Sequence, residues 1–273
     1  MLRSLNSGVS AMQQFQGQMD VIGNNIANVN TVGFKSARVD FADSFSQALQ
    51  TTGSGGSTQI GTGVITNSIT NQFIDGAITN TGGKDDLAIS GDGFFLVNDS
   101  VTGATYATRA GDFTLSGGYL TTQQGMRVQG YSDSGLTTLG DVMIDSTGAP
   151  NGSTAEVKSY SFGNDGKITV LLEDGTQFVR GQVLLQKFSS PQALVKEGNN
   201  LYSGLTAAGP LATPAAPNTG GTGKIIGRSL EMSNVDLAGQ FADLITTQRA
   251  FQASARIITT SDELLAELVN LKR

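Results

Sequence analysis

The sequence predicts an α+β fold, in which long N- and C-terminal helices pair in coiled-coil fashion and the middle domain is β-rich and mainly antiparallel. Apolar residues recur at steps of three and four in the first and last segments. Between them the pattern changes to a period of two, in short β-branched and aromatic runs broken by Gly, Asn and Asp. Glycine fills 36 of 273 positions while charged residues make up only 15%, against the roughly 25% usual in globular domains. That combination suits many tight turns and extensive buried contact.

The first helix is predicted over residues 3–29. Leu2, Leu5, Val9, Met12, Phe15, Met19, Ile22, Ile26 and Val29 fall on one stripe of it. Its other faces are mostly Ser, Gln, Asn and Ala, and only Arg3 and Asp20 are charged before Lys35. A solvated amide face and a helix contacted on several sides are equally good readings of that pattern. Asn28, Asn30 and Gly33 tolerate left-handed backbone, so the helix should stop near them.

The last helix is predicted from about residue 235 to 271, on Val235, Leu237, Phe241, Leu244, Ile245, Phe251, Ala255, Ile258, Leu265, Leu268 and Leu271. Ser233 or Asn234 is the expected N-cap, and Asp236, Asp243, Lys272 and Arg273 lie at the ends that the helix dipole favours. At ~1.5 Å per residue this helix would be roughly 55 Å long, more than one small core needs.

In the middle, strands are expected at 87–89, 94–97, 105–109, 119–121, 127–131, 167–172, 177–179 and 183–188. Hairpin turns are expected at Asn164-Asp165-Gly166 and Glu173-Asp174-Gly175. Residues 51–63 (Ser, Thr, Gly) and 207–223 (Pro210, Pro214, Pro217 and several glycines) read as flexible connections. The expected organisation is a terminal helical domain of 1–33 with 231–273, a linker and extended or hairpin region at 34–83, and a β-rich domain at 84–230 that includes the loop 207–223.

Composition excludes much chemistry. There is no Cys and no His, so thiol nucleophiles, thiolate metal sites and imidazole bases are absent. A net charge of −6 without a basic run argues against nucleic acid as a partner. No apolar run suits a cleavable signal or a membrane span. Asp85-Asp86 and Asp141 with Asp145 are close acid pairs, but neighbours along a strand face opposite ways and Asp gathers in turns. Gly61-Thr62-Gly63 and Gly91-Asp92-Gly93 fall short of a dinucleotide fingerprint. No catalytic, cofactor-binding or metal residue is assigned. A pair of helices alone leaves their stripes half covered, so the ends are expected to become fixed when neighbouring copies cover the remaining faces.

Five motifs carry a resemblance. Asp20-Val21-Ile22-Gly23-Asn24-Asn25-Ile26-Ala27-Asn28 with Thr31-Val32-Gly33-Phe34-Lys35 is the first. The second and third are Asp86-Leu87-Ala88-Ile89-Ser90-Gly91-Asp92-Gly93-Phe94-Phe95 and Thr108-Arg109-Ala110-Gly111-Asp112-Phe113. Glu197-Gly198-Asn199-Asn200-Leu201-Tyr202 is the fourth, and the fifth, at the end of the chain, comprises Leu230-Glu231-Met232-Ser233-Asn234-Val235-Asp236-Leu237 with Thr247-Gln248-Arg249-Ala250-Phe251. In this order, over nearly the whole chain, they resemble bacterial flagellar rod and hook proteins.

The resemblance implies an axial subunit whose terminal helices form the inner tube of a helical polymer and whose β domain forms an outer layer. It implies export through the flagellar channel without a cleaved signal, to an extracellular or periplasmic place in the hook or basal body. The partners implied are copies of itself, adjacent axial proteins (rod, hook cap, hook-filament junction) and the export machinery, with no cofactor. A short hook protein is the expected member, on the resemblance of the run from Gln59-Ile60-Gly61-Thr62-Gly63 through Ala77-Ile78-Thr79-Asn80-Thr81 and of Phe41-Ala42-Asp43, and a distal or proximal rod protein, which the length resembles more, is the alternative. A monomeric β-domain binding module is a more remote one.

Helix-packing residues are expected at Leu5, Val9, Met12, Met19, Ile22 and Ile26 against Phe241, Leu244, Phe251, Ile258 and Leu265. The motif residues singled out are Asn24, Asn25, Asn28, Gly33, Phe34, Gly91, Gly93, Phe94, Asn234, Val235, Gln248 and Arg249.

Overall fold

The computed structural model describes residues 2–51, 57–210 and 213–271. The chain divides into two compact units, one from Met1–Val29, Ser36–Gln72 and Val235–Arg273, the other from Asn30–Lys35 and Phe73–Asn234. The stretch 34–83 is thus shared between them.

The first unit holds helix α1 (Leu2–Ala27), helix α2 (Leu237–Leu271) and four strands: β1 (Ala37–Asp43), β2 (Ser46–Thr51), β3 (Ser57–Gly61) and β4 (Val64–Asn71). α2 starts two residues later than expected, because its cap is Asp236. The Ala238 N–H donates to Asp236 Oδ1 at 3.1 Å, and Gln240 N–H to the Asp236 carbonyl at 2.9 Å. This carboxylate reaches the first turn as an N-cap does, so Ser233 and Asn234 are left outside the helix. Lys272 and Arg273 lie outside the described residues.

β1 and β4 form an antiparallel ribbon whose register slips between Asp40 and Phe41. That bulge breaks the alternation by which a strand is read from sequence. β2 and β3 pair antiparallel across part of the stretch read as a flexible connection, Gln47 facing Ile60. Residues 52–56 of that stretch lie outside the described residues.

In the second unit a 12-stranded sheet carries most of the core. Its main path runs Val157–Phe162, Lys167–Leu172, Gln177–Val183, Arg127–Tyr131, Phe94–Asn98, Thr105–Thr108, Leu201–Ser203 and Val195–Gly198, with every neighbouring pair antiparallel. Both expected hairpin turns form, with Gly166 at φ 78° and Gly175 at φ 84°, a conformation that glycine adopts without a Cβ penalty. Two short ladders lie beside the sheet: Lys224–Gly227 on Leu87–Ser90, and Ser229–Glu231 on Ile78–Asn80.

Alternation drives the burial. Ile168, Val170 and Leu172 point inward to join Phe95, Val97, Val128 and Val183 in the larger core cluster. A smaller cluster gathers Phe94, Phe188 and Tyr202, with Phe73 packed against it. The loop 207–223 is tied down rather than free: Ala215 and Leu185 exchange backbone hydrogen bonds at 2.9 Å, and Pro210 bridges to Phe188. Residues 211 and 212 lie outside the described residues.

Candidate interaction surface

α1 and α2 run antiparallel. A Cβ added at Gly8 would sit 3.2 Å from Ile258 Cγ1, and at the other end the Asn25 side chain reaches Gln240. A continuous row of buried and half-buried positions runs along α2 through Gln240, Leu244, Thr247, Phe251, Ser254, Ile258, Ser261 and Leu265, with Gly239, Ala250 and Ala255 half-buried beside it. Spacing along the row alternates four and three, the heptad of a coiled-coil seam. Half of that seam is polar. Leu244, Phe251, Ile258 and Leu265 therefore lie where the periodicity put them, but Phe241 points away and is 49% exposed.

On α1, Ile22 is buried and Leu5, Met12, Met19 and Ile26 are half-buried, whereas Val9 is 36% exposed. α1 is contacted on two sides, since it also packs on the β-ribbon: Phe15 meets Phe41 edge-on at 6.3 Å and Ser7 Oγ donates to the Thr62 carbonyl at 3.3 Å. Each reading of its sparsely charged faces holds in part: two sides are contacted, while Asn6, Gln13, Gln16 and Asn24 leave an amide face exposed. The small buried positions Gly8, Thr247, Ser254 and Ser261 escaped an apolar periodicity count because they are not apolar in the usual sense. A count of small residues at heptad spacing would have found them.

Asn25 is the polar centre of this unit. Its Nδ2 donates to the Ala37 carbonyl at 2.8 Å and to Gln240 Oε1 at 2.9 Å, while its Oδ1 accepts the Ala37 N–H at 2.9 Å. The amide thus reads the start of β1 as a paired strand would, and it joins α1, β1 and α2. Asn25→Ala is expected to leave the half-buried Ala37 N–H and carbonyl without their side-chain partner and to cost about 1–3 kcal/mol. Thermal unfolding followed by helix ellipticity checks it. Asn24 and Asn28 instead close the end of α1: Asn28 Nδ2 donates to Asn24 Oδ1 at 2.8 Å and to its carbonyl at 2.9 Å.

The second unit has its own knot, formed where the sequence motifs meet. Glu231, fully buried, accepts Lys35 Nζ at 2.6 Å, the Gly76 N–H at 2.9 Å and Arg109 Nη1 at 3.3 Å. Lys35 also donates to the Ile74 carbonyl at 2.7 Å, and Arg109 to the Gly91 carbonyl at 3.0 Å and Asp75 at 3.4 Å. Burial pulls the Lys35 ammonium below its ordinary pKa, and Glu231 pulls the other way. The Arg109 guanidinium lies over the Phe94 ring at 5.2 Å.

Gly33, at φ 66°, gives its N–H to the Glu231 carbonyl at 2.8 Å, and Phe34 is buried with Lys196 Nζ 4.1 Å from its ring centre. Asn200 Nδ2 fixes the Val32 carbonyl at 2.6 Å. Gly91 and Gly93 have φ of 109° and 136°, and Asn234 Nδ2 donates to the Ile74 carbonyl at 3.3 Å. Val235 belongs to the first unit and precedes α2, while Gln248 and Arg249 are exposed on α2. Lys35, Arg109 and Glu231 stood inside the motifs without being singled out. Their burial as ions has no local sequence signal.

Three family models match the chain in order: Flagella basal body rod protein at residues 5–35, Flagellar hook protein FlgE/F/G D1 domain at 88–170, and Flagellar basal body rod FlgEFG protein C-terminal at 227–271. Helices and β body together therefore define a flagellar axial structural protein. The flagellar basal-body rod protein FlgG of Bacillus subtilis is 42% identical over 281 residues, covering 100% of both chains. FlgG of Caulobacter vibrioides is 33% identical over 99% of this chain and 100% of its own. The flagellar hook protein FlgE of Borreliella burgdorferi is 26% identical, over 444 residues that include 100% of each chain. The chain belongs to the family of flagellar rod and hook proteins, and it is a structural protein, not an enzyme. These matches favour a rod protein over the expected hook protein.

Proposed function

We propose that this chain is a rod subunit of the flagellar basal body, which polymerises with its own copies into a helical tube that carries motor torque. The observation that supports it best is the 42% identity to a rod protein over the full length of both chains. The alignment with the hook protein, by contrast, stretches to 444 positions for a chain of 273, so that protein carries a long region without counterpart here. A heterologous, non-closing contact repeated by every copy makes such a tube. In this reading the helical unit supplies the packing surface of the tube, and adjacent axial proteins and the export machinery are its further partners. The subunit would lie in the part of the axle that crosses the periplasm.

Two experiments test this. Gold-labelled antibody against the chain on purified hook–basal bodies should mark the rod, and label along the hook would restore the hook reading. Electron microscopy of the concentrated protein should show tubes that vanish in Leu244→Asp/Ile258→Asp, because two carboxylates then enter the seam. Tubes unchanged in that variant would refute the role given to the helices.

A further inference from the structure

Most of the large apolar side chains that α2 leaves exposed fall into two patches. Leu237, Phe241 and Ile245 lie toward its start and Ile257, Leu264 and Leu271 toward its end, each between 39% and 83% exposed. At 100° per residue the first patch is centred about 110° to one side of the seam with α1, and the second about 110° to the other side. Leu268 borders the second patch, and Val269 alone falls in line with the seam. Each flank is strongly apolar over one half of its length only. The first continues toward the end of α2 as Gln252, Thr259 and Ala266, and the second starts as Thr246, Ala250 and Ala253.

We propose that the two patches are the two halves of one head-to-tail contact, in which the first patch of one copy packs on the second patch of the next. Parallel α2 helices staggered by about 20 residues, roughly 30 Å, set Leu237 beside Ile257 and Ile245 beside Leu264, with Phe241 between them. The contact uses a different surface on each partner, and the two surfaces lie on opposite flanks, so every copy receives one neighbour and offers itself to another. Two such steps exceed the 35 residues of α2, so the third copy in the row clears the first. The occupant is a second copy of this chain, because the apolar patch that complements each flank stands on the other flank of the same helix, displaced toward the other end. An unstaggered pair would instead set Phe241 and Ile245 against Thr246 and Ala250. Three side chains on each surface are too few to hold an isolated pair, so the contact persists only where a polymer repeats it. The inference rests on the polymer reading above.

The test uses the full chain in three forms: Ile245→Glu, Leu264→Lys, and both substitutions together. Each single form sets a charge against an apolar patch at every contact, and should assemble at a critical concentration at least about tenfold above that of the unaltered chain, measured by sedimentation and electron microscopy. The doubly substituted chain should assemble more readily than either, within about threefold of the unaltered value, because the lysine introduced in one copy meets the glutamate introduced in the next. Both positions are exposed in the single chain, and helix ellipticity equal to that of the unaltered protein establishes that all forms remain folded. Single forms that assemble normally, or a double form no better than the better single one, overturn the contact while leaving the polymer standing. An unaltered chain that stays monomeric at every concentration overturns both.

Discussion

Glu231→Ala is expected to destabilise the second unit by about 3–5 kcal/mol, since it removes the one buried carboxylate that answers two buried cations. Lys35 would keep only the Ile74 carbonyl, and Arg109 the Gly91 carbonyl and a 3.4 Å contact to Asp75. Two charges left short of partners in a dry site are far more expensive than a lost surface pair. Against a usual domain stability of about 5–15 kcal/mol, the urea midpoint should fall sharply.

The loss has a pH signature. Without the carboxylate, burial lowers the Lys35 pKa further below its unfolded value of 10.5. The unfolded chain then binds more protons than the folded one in that window, so stability rises with pH and the deficit narrows toward pH 10. By contrast Asp141→Ala, which breaks the half-exposed 2.9 Å pair with Arg127, should cost no more than about 1 kcal/mol. Equal losses for the two variants, or a Glu231 deficit that does not change between pH 7 and 10, would remove the case for the buried knot.

What the sequence disclosed follows from how far each feature reaches along the chain. Helices α1 and α2 were legible because a stripe repeats every few residues, and the hairpin turns because Gly166 and Gly175 sit next to the runs they join. The polar half of the seam was not, because Thr247, Ser254 and Ser261 are buried by their small size rather than by hydrophobicity. The ribbon of β1 and β4 was hidden by a bulge, and β2 and β3 by their Ser, Thr and Gln content. The knot joins Lys35 to Glu231 across 196 positions, a distance no local pattern spans. Gly33 and Phe94, singled out from the motifs, lie beside the buried ions: the Gly33 N–H reaches the Glu231 carbonyl and the Arg109 guanidinium lies over the Phe94 ring.

Gly33→Ala is expected to destabilise the second unit by about 3–4 kcal/mol. Backbone at φ 66° disfavours any Cβ by roughly 1–2 kcal/mol. Here the Cβ would also stand 2.6 Å from Ala110 N and the Arg109 carbonyl carbon, neither of which is a flexible side-chain end. Relieving that overlap means moving backbone, at a further cost of about 1–3 kcal/mol. Gly82→Ala separates the two contributions, since Gly82 has φ 75° with nothing within 4 Å of the added Cβ, and it should lose only the first. Urea unfolding of both variants gives the difference, and values within 0.5 kcal/mol of each other, the usual additivity error, would show that the close approach is not felt. The backbone displaced by Gly33→Ala carries Arg109, and the Gly33 N–H is held by the Glu231 carbonyl at 2.8 Å. The Gly33→Ala and Glu231→Ala losses should therefore be less than additive in the double variant, because each disturbs the ion cluster that the other depends on.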